Sequence, residues 1–126
     1  MKLSEQLSVL YQTKELWGIV VYECVGDGCL NGTGTNNDNA GHFINEIARK
    51  KYGNTSIEVE GEYTVAYIEP KQNKTFAGIL KISRSPNEIY KVIWEPFETL
   101  RGEFEGVGLK TGEKQFTVFY WQTKKH

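Results

Sequence analysis

Histidine is nearly missing from this chain of 126 residues, which carries only His42 and the terminal His126. That scarcity leaves no basis for a Ser-His-Asp constellation and few partners that would turn the two cysteines into a zinc site. Long apolar runs are missing too. No segment approaches the roughly 18 residues that cross a bilayer as a helix, and residues 1–7 lack the apolar centre of a signal peptide. The expectation is a cytoplasmic protein without a membrane partner. Charge of one sign is equally absent: 15 Lys and Arg stand against 16 Asp and Glu, a net −1, so no field draws in nucleic acid. The glycine-rich stretch fits neither a phosphate-binding loop nor a dinucleotide fingerprint, and it lacks EF-hand order. No cofactor and no metal site are expected.

What the chain does have is aromatic and apolar residues in alternation. At 14.4 kDa it is read as one domain over residues 1–126, with 39% apolar and 13% aromatic side chains. A chain of that size buries roughly two thirds of its unfolded surface and needs no disulfide or metal to fold. Between Gly61 and Trp121 five alternating runs follow one another, separated by short polar and Gly-rich stretches. Period two of this kind specifies an antiparallel sheet, placed here over 56–122.

The first half reads differently. Leu3, Leu7, Leu10 and Tyr11 line one face of a helix predicted over 3–12, and a strand is predicted over 16–23. Residues 25–39, rich in Gly and Asn, read as a loop. Phe43, Ile44, Ile47, Ala48 and Tyr52 give a buried stripe for a second helix over 39–52, capped at Asp38 or Asn39 and ended by Gly53. The expected class is mainly β with two helices, an α+β chain whose meander curls into a barrel or half-barrel.

Within the meander, alternation assigns faces. Tyr63, Val65, Tyr67, Phe76, Gly78, Leu80, Ile82, Tyr90, Val92, Trp94, Phe116, Val118 and Tyr120 share the inner side. The outer side holds charged residues but also Ala66, Ile68, Ile79, Ile93, Phe119 and Trp121, more apolar surface than a solvated face needs. The two helices or a second copy of the chain are candidates to cover it. Gly106 and Gly108 remove side chains from one face of their strand and mark its strongest curl.

The segment 61–120 resembles the calycin-type meander of small bacterial proteins. The resemblance is carried by Gly61/Tyr63/Val65, Phe76/Gly78/Leu80/Ile82, Tyr90/Val92/Trp94 and Phe104/Gly106/Gly108. It implies a barrel that commonly holds a small ligand, as lipocalins, fatty-acid-binding proteins and avidins do.

Three kinds of function follow as expectations. The first is non-catalytic binding of a small apolar or aromatic ligand by Tyr63, Tyr67, Tyr90, Trp94, Phe104 and Tyr120, residues that core packing also explains. The second is a homodimeric interaction module using Phe119 and Trp121. The third is an enzyme using His42 and Glu46, four apart on the second helix and so on one face. Cys24 and Cys29 flank a Gly-Asp-Gly turn and read as ordinary reduced cysteines at a hairpin rather than a redox pair.

Overall fold

Period-two alternation extends well beyond the meander and governs the whole described chain. The computed structural model describes residues 16–26, 28–38, 42–52, 58–69, 74–97 and 103–124. They form eight strands: β1 (Trp17–Cys24), β2 (Cys29–Asn36), β3 (Ile44–Lys50), β4 (Gly61–Glu69), β5 (Lys74–Arg84), β6 (Tyr90–Pro96), β7 (Glu103–Gly112) and β8 (Gln115–Lys124). Each pairs antiparallel with its sequence neighbours, and β8 returns to pair with β1 from Trp17↔Trp121 to Glu23↔Gln115. The sheet is a closed barrel in simple chain order, which leaves no free edge.

The helix expected over 39–52 is overturned. Residues 44–50 are a strand, with Glu46 and Ala48 turned inward and Asn45, Ile47 and Arg49 outward. Ile44, Ile47 and Ala48 imitate a helical stripe only because an outward isoleucine falls three residues after an inward one. The loop expected over 25–39 is likewise replaced by a hairpin turn and β2. Gly26 and Gly28 supply the positive φ values, 80° and 75°, that this turn needs. The α+β class therefore gives way to an all-β barrel, with no α-helix among the described residues and one short 3-10 turn at Pro86–Glu88. The helix expected over 3–12 lies outside the described residues.

The two ends of the barrel differ. The turns that join β1 to β2, β3 to β4, β5 to β6 and β7 to β8 lie at one end, which is packed solid. Cys24, Leu30, Ala48, Tyr63, Ile82, Tyr90 and Phe116 fill it, and Val59, just before β4, is wholly buried among them. Glycine makes room for the largest rings. A Cβ built on Gly108 would run into the ring of Phe116, and one on Gly106 would lie 2.7 Å from Val118 Cγ1. The Phe116 ring meets Tyr90 edge-on at 5.2 Å and 90°.

Candidate functional site

At the other end the filling stops short. β1 begins there, β8 ends there, and the inward side chains leave a cavity of about 80 Å³. An eight-stranded barrel is just wide enough either to fill with side chains or to hold one small ligand, and this one is filled at one end and hollow at the other. By the rule that one water needs roughly 10 to 15 Å³ of such space, the cavity takes several waters or a small organic group. Tyr67, Trp94, Phe104 and Tyr120 provide aromatic walls, Leu16, Val20 and Ile44 apolar ones, and Gly34, Asn36 and Glu46 the remainder. Trp94 and Tyr120 rings lie 5.5 Å apart at 60°, and Phe104 meets Tyr120 at 6.1 Å and 76°, one continuous aromatic surface.

Glu46 is the only charged residue of the buried core among the described residues, 7% exposed. Its position follows from register. Tyr22 on β1 stands opposite Gly32 on β2, Gly32 opposite Glu46 on β3, and Glu46 opposite Tyr67 on β4. Because Gly32 has no side chain, the Tyr22 ring crosses β2 unobstructed; a Cβ on Gly32 would sit 2.7 Å from its Cε1. The Tyr22 hydroxyl then donates to Glu46 Oε2. From the opposite wall, Trp94 Nε1 donates to the same oxygen at 3.4 Å. Both described donors thus end on Oε2, and Oε1 has no hydrogen-bond partner among the described residues.

Desolvation dominates the chemistry of this carboxyl. Burial pushes it from an ordinary 4.5 up to about 7, against the pull of the Tyr22 and Trp94 hydrogen bonds, which favour the charged form. Burial, and then the nearby Glu46 charge, raise the Tyr22 hydroxyl well above its usual range, so it stays a donor. Near neutral pH Glu46 therefore changes charge inside a mostly apolar chamber. A perturbed group lining a cavity is a recognised mark of a functional site.

Of the six aromatics expected to bind ligand, Tyr67, Trp94, Phe104 and Tyr120 line the cavity. Tyr63 and Tyr90 belong to the packed end, where the Tyr63 hydroxyl donates to the Val59 carbonyl at 2.6 Å. His42 and Glu46 are not brought together. His42 is exposed ahead of β3, its carbonyl accepting from Thr35 Oγ1 at 2.8 Å, while Glu46 turns to Tyr22 and Trp94. Sequence reasoning missed Tyr22 and Gly32. The signal was present in Leu30, Gly32 and Gly34 alternating with Asn31, Thr33 and Thr35, small residues on one face and polar ones on the other. A larger depression of about 480 Å³ lies over the outer wall at Val21, Glu23, Asn31, Thr33 and Gln115. Its rim is open, and no buried ionisable side chain other than the already committed Tyr22 reaches it.

The cysteines sit at the far, packed end. Cys24 ends β1 with its side chain buried, and Cys29 opens β2 on the outer face, and the two are not joined in a disulfide. Side chains on opposite faces of a sheet do not meet the geometry of a disulfide. Alkylation of the native protein should label Cys29 quickly and Cys24 only on unfolding, since burial also raises the Cys24 thiol above its ordinary range. Equal labelling rates would refute the buried placement.

No family model, curated protein or solved structure matches the chain.

Proposed function

We propose that the protein binds a small apolar or aromatic ligand, without transforming it, in the open end of a calycin-like barrel. The observation that carries this reading is the cavity with Tyr67, Trp94, Phe104 and Tyr120 on its walls and Glu46 set among them. A chamber largely apolar, with one or two oriented polar groups, is the usual form of a small-molecule site. Titration with toluene and benzyl alcohol, followed by amide and methyl NMR shifts, should give saturable changes confined to residues around Trp94, Glu46 and Tyr120. Uniform, unsaturated drift would reject the reading.

A second reading, a homodimer through Phe119 and Trp121, has its own support on the outer wall. Ile19 pairs with Phe119 and Phe119 with Val107, while Trp17 pairs with Trp121, an outward apolar band across β1, β8 and β7. All five of these side chains are only partly buried. Such a band is more apolar than a solvated wall requires. Sedimentation should show a dimer that Trp121→Glu converts to a folded monomer. A wild-type monomer at high concentration removes this reading and leaves the cavity untouched.

A further inference from the structure

We infer that the ligand is a small organic cation, a protonated amine on an apolar or aromatic body, whose ammonium group pairs with Glu46 inside the barrel. This rests on the reading of the cavity as a binding site and names the ligand's chemistry. The geometry of Glu46 comes first. It is more than nine-tenths buried, it lines the cavity, and its two described hydrogen bonds both occupy Oε2. None of the described residues bonds Oε1.

Charge selects what that is. No Lys or Arg lines the cavity among the described residues, so none of them offers an ionised Glu46 a cation to offset its burial. An uncompensated buried carboxylate is costly, and a bound ammonium supplies the missing partner. The walls favour the same charge. Trp94, Phe104 and Tyr120 line the cavity, and the quadrupoles of aromatic rings attract cations. An anion would meet repulsion from Glu46, and a neutral ligand would leave the charge unmatched.

Among the described residues, the titratable groups facing Glu46 are Tyr22 from β1, Tyr67 from β4 and Tyr120 from β8. β2, β6 and β7 contribute Gly34, Asn36, Trp94 and Phe104, which do not titrate near neutral pH. The pH dependence of binding near neutrality therefore belongs to Glu46. An amine that stays protonated should bind more tightly as pH rises and the carboxyl ionises.

The test compares benzylamine, benzyl alcohol and benzoate on the full chain by calorimetry, at about pH 8 and about pH 5.5, values chosen to bracket the Glu46 transition. At the higher pH benzylamine should bind at least about tenfold tighter than benzyl alcohol, about 1.4 kcal/mol. That advantage should shrink by about tenfold at the lower pH, as Glu46 takes up its proton. Glu46→Gln should abolish it, because the amide keeps an acceptor for Tyr22 and Trp94 but carries no charge to pair with the ammonium. If the variant does not fold, the wild-type pH profile decides. Equal binding of amine and alcohol at both pH values, or tighter binding of benzoate, overturns the cation while the cavity reading stands. Saturation by none of the three overturns both.

Discussion

Glu46→Gln should make the protein more stable at pH 8 by about 3 kcal/mol, the free energy of moving one carboxyl across the interval between its two pKa values. The native carboxyl titrates at about 7 and the unfolded one near 4.5. Between those values the folded protein holds a proton that the unfolded chain has released. Stability from this group is therefore complete below the unfolded value, declines as pH rises through the native value, and is flat above it. Glutamine does not ionise and escapes the decline. Denaturant titrations at several pH values should show wild type and variant together near pH 4.5, separating as pH rises from there to about 7, and holding a constant gap above it. The exposed pairs Lys51–Glu62 and Lys81–Glu95 are present in both proteins and cancel in the difference. A gap independent of pH would mean that Glu46 is solvated.

Phe116→Ala should cost about 3 to 5 kcal/mol, the range for removing a fully buried phenylalanine. The ring is wholly inaccessible, packs against Tyr22 and Tyr90, and lies over the bare backbone of Gly108. Gly108→Ala by itself should cost about 1 to 3 kcal/mol, since its methyl and the Phe116 ring claim one space. The two changes together should cost less than their sum, because the new methyl enters the room the ring has left. Thermal or denaturant melts of the four proteins decide it. Strict additivity would show that ring and glycine do not touch.

Much of the barrel was legible because most inward positions are apolar and most outward ones polar or mixed. Tyr63, Val65, Leu80, Ile82, Val92, Phe116 and Val118 all face inward where alternation puts them. The stretch read as a helix and the stretch read as a loop fail for one reason. β3 places a carboxylate inward at Glu46 and an isoleucine outward at Ile47, which inverts the hydrophobic pattern that identifies a strand. β2 carries Gly32 and Gly34 inward, so it shows no apolar face. Those are the residues that admit the Tyr22 ring, hold the buried carboxyl and leave space in the barrel. Local rules were broken where the candidate site was built, as expected of positions that serve something besides packing. Tyr67, Trp94 and Tyr120 lie on the inner face where alternation puts them, and Phe104 joins them on the cavity wall. Their separation from Tyr63 and Tyr90 depends on which end of the barrel each strand presents, and alternation carries no information about height along the axis.

The pairing of β1 with β8 has a bearing on how the molecule comes into being. Seven of the eight ladders join neighbours along the chain, but Trp17 and Trp121 are more than 100 positions apart. Seven ladders can zip as local hairpins, while the last must close over everything between β1 and β8 against the loop entropy. On a ribosome, where synthesis runs from the N-terminus, β1 waits with an unpaired edge until β8 clears the exit tunnel. Tyr120, one wall of the cavity, arrives with that strand. A nascent chain stalled before β8 would thus carry an open β1 edge and lack the Tyr120 wall, and the cavity is complete only once β8 has been made.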